Sequence, residues 1–86
     1  MEKSFTDTTI KHHRKMARFK QTEFAEILGI TSTDMSFMEN KKTFPDLKTA
    51  YRMAELLKVT VGYLYSEEEL EYMRYRENEK INQIKQ

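Results

Sequence analysis

Apolar residues recur three or four positions apart along most of the chain, which is the spacing of amphipathic helices. Between residues 21 and 45 this pattern predicts two short helices, 21–28 and 32–39, whose apolar sides share one core. Gly29 suits the left-handed conformation that ends a helix, and Thr31 is a favourable N-cap for the next one. The stretch therefore reads as two helices joined by a tight turn, followed by a basic loop that ends at Pro45.

The same spacing predicts four more helices. The first covers residues 7–18, with Ile10 and Ala17 on its apolar face, and a short one covers 61–65 after a Thr60 cap. A capping box at Ser66 begins a last helix from 67 to about 82. The remaining helix runs from Asp46 and Leu47 to Leu57, and its apolar stripe consists of Leu47, Ala50, Tyr51, Ala54 and Leu57. We expect an all-α chain in which residues 1–6 form a poorly ordered arm.

Composition agrees with one small helical domain. The 86 residues include only two Gly and one Pro, and the absence of Cys excludes disulfides and thiolate metal sites. We expect a soluble, cytoplasmic protein, because the sequence shows neither the apolar run of a signal peptide nor a membrane-spanning stretch.

Charge is distributed unevenly although the net charge is only +1. Residues 1–65 carry eleven Lys and Arg against eight Asp and Glu, whereas residues 66–86 carry four against six. The positive excess thus lies with the paired helices and gives mild support to an anionic partner.

Nothing in the sequence points to catalysis, a metal or a cofactor. Glycine-rich phosphate loops, nucleophile elbows and metal-ligand spacings are all missing. His12 and His13 are adjacent, so they point in different directions on a helix and suit no common metal ion. We therefore expect a protein that is not an enzyme.

Residues 10–65 resemble the Cro/CI-type (XRE-like) helix-turn-helix domain of phage repressors and related bacterial regulators. The matching residues are Arg14, Gln21, Phe24, Ala25, Leu28, Gly29, Ile30, Thr31, Met35, Glu39, Pro45, Ala54, Leu57, Val59, Thr60 and Leu64. The resemblance implies a five-helix, lambda-repressor-like DNA-binding domain over residues 1–65 (core 7–65). Residues 66–86 would then form an additional C-terminal helix.

Roles for individual residues follow from this resemblance. Arg14 and Glu39 match a pair that commonly forms an ion pair between the first and third helices. The residues that match base-reading positions are Ser32, Thr33, Ser36 and Phe37. The residues that match contacts to the DNA backbone are Gln21, Asn40, Lys41, Lys42 and Thr43.

Three departures from the family pattern add positive charge. Lys41 and Arg18 stand where the family commonly has Gly, and Lys20 replaces the usual Ser, Thr or Asn cap. The reading face also lacks the Gln, Asn and Arg side chains that make bidentate base contacts. We therefore expect modest direct readout, with more weight on phosphate contacts and DNA shape.

The C-terminal helix has two open interpretations. Leu70, Met73, Glu77, Ile81 and Ile84 lie roughly on one face, with Tyr72 and Tyr75 beside it. In one interpretation Leu70 and Met73 pack on the domain and the rest of the helix is solvated. In the other, this helix and two tyrosines form a dimer or partner surface, consisting of Tyr63, Tyr65, Leu70 and Met73.

The favoured hypothesis is a sequence-specific transcriptional regulator, phage- or bacterium-encoded and nucleoid-associated. It would act as a repressor by occupying double-stranded operator DNA as a homodimer. The alternative is a protein-interaction module of the same fold, which binds another regulatory protein and has weak or no affinity for DNA.

Overall fold

Six α-helices make up most of the computed structural model, which describes the backbone of residues 9–85 and the side chains of residues 9–79. The helices are α1 (Thr9–Met16), α2 (Gln21–Leu28), α3 (Ser32–Glu39), α4 (Leu47–Leu57), α5 (Val61–Leu64) and α6 (Glu67–Lys85). The prediction of an all-α fold with five helices and an additional C-terminal helix is confirmed for these residues. The predicted arm at 1–6 lies outside the described residues, as do residues 7 and 8.

The first of two compact units comprises residues 1–43 and contains α1, α2 and α3. In this unit α3 packs against both α1 and α2. Its buried apolar side chains are Ile10, Phe24, Ala25, Met35 and Met38. Phe19 adds a ring contact, because its centroid lies 5.2 Å from that of Phe24. This packing fixes one side of α3 and leaves the other side to solvent.

The second unit comprises residues 44–86, in which α4 packs against α5 and α6. Its buried apolar side chains are Ala50, Met53, Ala54, Leu57, Leu64, Tyr65 and Met73. This unit begins at residue 44, whereas the sequence predicted a domain boundary between residues 65 and 66. The predicted domain boundary stays a prediction. The side chains of Ile81 and Ile84, assigned above to one face of the last helix, lie outside the described residues.

Local hydrogen bonds begin most of the helices as the sequence predicts. Thr31 Oγ1 accepts from the Asp34 backbone N–H at 3.0 Å. Ser66 and Glu69 form a complete capping box, with distances of 2.9 and 3.1 Å for its two bonds. Thr60 occupies the N-cap position of α5, as predicted, but only its backbone takes part in the first turn. Its side chain makes no capping bond to α5, a single turn in which the Tyr63 N–H donates to the Thr60 carbonyl instead.

Four helices end in the same way, with a left-handed residue after the last turn. These residues are Arg18, Gly29, Lys41 and Lys58, with φ between 60° and 76°. At each end, two backbone N–H groups turn back to carbonyls of the last helical turn, which is the Schellman arrangement. Three of the four positions thus carry a basic residue where glycine is sterically preferred.

Several predicted boundaries and faces need correction. α1 ends at Met16, because the left-handed Arg18 turns the chain, and Ala17 is exposed in that turn. α5 ends at Leu64, since Tyr65 has extended backbone, whereas α6 continues to Lys85. Tyr51, predicted on the apolar stripe of α4, is exposed because Met53 lies on the buried side of that helix instead.

Candidate nucleic-acid interface

The third helix presents one side to the protein and the other to solvent. Met35, Met38 and Glu39 are buried. Because successive residues of an α-helix are rotated by about 100°, Thr33, Phe37 and Asn40 lie opposite these buried residues. All three are exposed. The packing of these buried residues, which include the charged Glu39, therefore determines which side chains lie at the centre of the exposed face.

The predicted base-reading residues divide into two groups on this face. Thr33 is exposed and Phe37 is 43% exposed, so both project from the middle of the face. Ser32 and Ser36 lie along one flank and are half-buried. Hydroxyl groups both donate and accept hydrogen bonds, and an exposed phenyl ring can pack on a thymine methyl. These side chains suit base edges of more than one kind.

Asp34 lies on the other flank of the same face and was absent from the predicted site. Its side chain is exposed, while its backbone N–H is taken by the Thr31 cap. A carboxylate there would repel phosphates but can accept a hydrogen bond from the amino group of cytosine. The sequence signal that could have identified Asp34 is its position in the helix relative to the apolar Met38, which is buried.

A buried ion pair joins α1 to the end of α3. Arg14 is 5% exposed and Glu39 is 1% exposed. Arg14 Nε donates to Glu39 Oε2, and a second guanidinium nitrogen lies 3.4 Å from Glu39 Oε1. The remaining nitrogen donates to the Phe19 carbonyl at 2.8 Å. One guanidinium thus connects α1, the segment before α2 and the last residue of α3.

Gln21, a predicted contact to the DNA backbone, belongs to the same network. Its Nε2 donates to Glu39 Oε1 at 3.1 Å, and its side chain is half-buried. Since the carboxylate can only accept, the amide nitrogen of Gln21 must face it. That nitrogen carries two hydrogens, so one remains for a second acceptor. The two residues are 18 positions apart, and nothing in the sequence pattern signals this contact.

The loop 40–43 folds back onto the end of α3. Asn40 Nδ2 donates to the Ser36 carbonyl at 2.9 Å, so this amide already serves the helix end. The Lys41 and Lys42 backbone N–H groups bond to the Met38 and Phe37 carbonyls. Lys41 adopts the left-handed conformation despite its side chain, with φ of 60°. Lys42 and Thr43 are exposed and Lys41 is half-buried.

The described part of the first unit is basic, with seven Lys and Arg against four Asp and Glu in residues 9–43. The predicted contact residues all lie in this unit. Its charge is therefore of the sign that phosphate groups attract.

The predicted dimer or partner surface needs correction at two positions. Tyr65 and Met73 are 1% and 0% exposed, because both side chains belong to the core of the second unit. Burial, with a smaller contribution from the Glu69 carboxylate, raises the pKa of the Tyr65 phenol above its ordinary value. Tyr63 remains exposed and Leu70 is half-buried.

The described residues hold neither a metal-binding cluster nor a membrane-spanning helix. They contain no group of three or more His, Asp or Glu able to hold a metal ion. None of the described helices is both long enough and apolar enough to cross a membrane.

Comparison with known proteins identifies the fold family. The family model described as "Helix-turn-helix" matches residues 10–64. A relative from Bacillus phage phi105, the "ImmF control region 10 kDa protein", is 40% identical over 55 residues, which are 64% of this chain. The matched region spans 61% of the relative's length. No solved structure matches the chain. The chain belongs to the Cro/CI-type helix-turn-helix family, a family of DNA-binding regulators and not typically of enzymes.

Proposed function

We propose that this protein is a phage-type transcriptional repressor that binds operator DNA as a homodimer through α3. The observation that carries the proposal is the exposed face of α3, which is held by the buried Arg14–Glu39 pair and bordered by a basic loop. A short helix supported in this way fits the DNA major groove. The phage relative supports the same role, because its name places it in a control region.

The residues of the interface have two kinds of task in this proposal. Thr33, Phe37, Ser32 and Ser36 contact base edges, and the N–H of Gln21 that faces away from Glu39 donates to a phosphate. Lys41, Lys42 and Thr43, with Asn40, follow the sugar-phosphate backbone. Phosphate contacts position the protein, and only the groove-facing side chains select sequence. Affinity should therefore depend steeply on salt, and discrimination between sequences should be modest.

A titration at two salt concentrations tests the proposal. The protein is titrated against the DNA upstream of its own gene and against unrelated DNA, and the experiment is repeated with Lys41 and Lys42 changed to Ala. We expect tighter binding to the upstream DNA and a salt slope that falls by about 0.9 for each phosphate contact removed. Absence of binding at low salt would refute the DNA-binding role. Specific binding with an unchanged salt slope in the double variant would refute only the lysine assignment.

Dimerisation through the second unit is the further part of the proposal. Tyr63, Tyr72 and Tyr75 expose about half or more of their side chains, and aromatic residues are enriched at interfaces between proteins. A dimer lets two copies of α3 read half-sites about 34 Å apart. Sedimentation analysis of the protein and of Tyr75→Ser tests this. A monomer at micromolar concentration that still binds one site on DNA would contradict the dimer.

The same exposed tyrosines favour a second candidate, a module that binds another regulatory protein. The two functions separate in one comparison. A DNA-binding repressor loses affinity for DNA when Lys42 is changed, whereas an interaction module has no affinity for DNA to lose and depends on Tyr63 and Tyr75.

A further inference from the structure

Asp34 carries the exposed charge of α3. Its side chain is exposed, whereas Glu39, the other charged residue of that helix, is 1% exposed and paired with Arg14. The remaining exposed or half-buried side chains of the helix are uncharged, and they are Ser32, Thr33, Ser36 and Phe37. The basic first unit therefore presents a negative charge on the helix that is proposed to read DNA.

The position of Asp34 in α3 places its side chain at the edge of the reading face. Successive residues of an α-helix are rotated by about 100°, so Asp34 lies about 60° from Phe37 and about 40° from the buried Met38. Asp34 also belongs to the first turn of the helix, beside Thr33. The first turn of a recognition helix is the part that contacts base edges in the major groove.

The start of α3 makes no use of the Asp34 carboxylate. Thr31 Oγ1 accepts from the Asp34 backbone N–H at 3.0 Å, a bond in which the Asp34 side chain has no part. None of the described residues donates a hydrogen bond to this carboxylate. At the starts of α2 and α6, by contrast, Glu23 and Glu69 accept from the N-cap backbone N–H. The Asp34 carboxylate thus keeps its accepting capacity for a group outside the described residues.

A carboxylate in the major groove distinguishes bases by the sign of the groups it meets. It accepts hydrogen bonds and cannot donate them. Cytosine presents a donating amino group there, whereas thymine presents the acceptor O4 and guanine the acceptors O6 and N7. Adenine places the acceptor N7 beside its amino group. Cytosine therefore gives a charge-assisted hydrogen bond without a repelling neighbour, while the hydroxyls of Ser and Thr suit donors and acceptors alike.

We propose that Asp34 is a specificity-determining residue, whose carboxylate accepts a hydrogen bond from the amino group of a cytosine in the bound DNA. The inference rests on the proposed function and names a base pair that the bound sequence requires. It assigns the sharpest discrimination of the interface to this one carboxylate. The same charge weakens binding to DNA that lacks cytosine at that position, because the carboxylate is then left facing acceptors and phosphates.

Selection from a random double-stranded DNA library tests the inference with the full-length protein and with Asp34→Asn. Asn has nearly the size of Asp and keeps the backbone N–H that Thr31 accepts, but it carries no charge. Its amide pairs with adenine through two hydrogen bonds. We expect sites selected by the wild type to share a C·G pair that becomes A·T in sites selected by the variant, with the other positions unchanged.

Dissociation constants on defined duplexes measure the size of the effect. Changing the shared C·G pair to T·A should weaken wild-type binding about tenfold, the effect of one hydrogen bond to a charged group. The same change should alter binding of Asp34→Asn by less than about twofold, since the amide can donate to thymine O4. On unrelated DNA, Asp34→Asn should bind about twofold more tightly than the wild type, because a charge that repels phosphates is gone.

Glu26→Gln is the matched control, because Glu26 is an exposed carboxylate of α2 in the same unit. It removes the same charge away from α3 and should leave the selected bases unchanged. Asp34→Glu keeps the charge and should keep the preference for cytosine, since both carboxylates accept from its amino group. All measurements are made at a temperature where circular dichroism shows the variants to be folded.

A purely structural role for Asp34 predicts a different result. A carboxylate in the first turn stabilises a helix through its dipole. Loss of that interaction alone would lower Tm and weaken binding to every DNA sequence alike, with the base preference unchanged. This pattern would overturn the inference.

The remaining outcomes separate the inference from the proposed function. A wild type that binds specific DNA without requiring a C·G pair would overturn the inference, whether or not any variant folds. An Asp34→Asn variant that selects the same bases as the wild type would also overturn it. In both cases the protein still binds DNA, and the proposed function stands. A wild type that binds no DNA would remove the proposed function and this inference together.

Discussion

Changing Arg14 to Met should destabilise the protein severely, because it leaves the carboxylate of Glu39 buried without its cation. Glu39 is 1% exposed, and beyond Arg14 its described hydrogen-bond partner is the neutral amide of Gln21. Removing one member of a buried ion pair typically costs about 3–5 kcal/mol. The variant also loses the bond from Arg14 to the Phe19 carbonyl. Met is chosen because it keeps most of the aliphatic volume, so that the effect of charge dominates.

Thermal unfolding followed by circular dichroism measures this effect. For a domain of this size each kcal/mol lowers Tm by about 4–8 °C, so a loss of 3 kcal/mol lowers it by about 12–24 °C. Arg52→Met is the matched control, since Arg52 is an exposed arginine of α4 and surface substitutions usually change stability by less than about 0.5 kcal/mol.

The double variant Arg14→Met, Glu39→Met provides the decisive comparison. If the unpaired carboxylate causes the loss, replacing it with an apolar side chain should recover most of the stability, as apolar replacement of buried ion pairs often does. A single variant that melts within a few degrees of the wild type would refute the buried pair. A double variant no more stable than Arg14→Met would show that the lost bond to Phe19, and not the buried charge, dominates.

Three further predictions concern separate features. Lys41→Gly and Lys58→Gly should each raise the free energy of unfolding by about 1 kcal/mol in chemical denaturation, because both residues have a left-handed backbone conformation that glycine adopts without strain. Of the two variants, only Lys41→Gly should weaken DNA binding. Thr33→Ala should leave Tm unchanged and weaken specific binding by about 0.5–1.5 kcal/mol, the size of one neutral hydrogen bond, with unrelated DNA bound as before; equal loss on both DNAs would contradict base contact. The pKa of Tyr65 is raised in the folded state from the ordinary tyrosine pKa of 10.0. Above pH 10 the folded state therefore keeps a phenol proton that the unfolded state loses. Stability should therefore fall above pH 10 by up to about 1.4 kcal/mol per pH unit, and less steeply in Tyr65→Phe. Parallel alkaline denaturation curves for the two proteins would exclude this contribution.

Features that depend on a few neighbouring residues could be predicted from the sequence. Helices α2 and α3, the left-handed Gly29, the Thr31 cap and the Ser66–Glu69 box all rest on contacts within five positions. Thr60 shows the limit of such reasoning, since it occupies the N-cap position of α5 but its side chain makes no capping bond to that single turn. Met35 and Met38 are apolar residues three positions apart, and both are buried, so the spacing of apolar residues in the sequence also indicates which side of α3 faces outward.

The sequence by itself determined the six helices, most of their ends and the family to which they belong, because helix periodicity, caps and turns are written in adjacent residues. Tertiary structure decided which of the apolar and charged residues are available to a partner. It buried Tyr65 and Met73 while leaving Tyr72 and Tyr75 exposed, and it joined Gln21 to Glu39 and Arg76 to Phe44 across 18 and 32 positions. Contacts at such separations depend on how whole helices pack, and no local pattern specifies their partners.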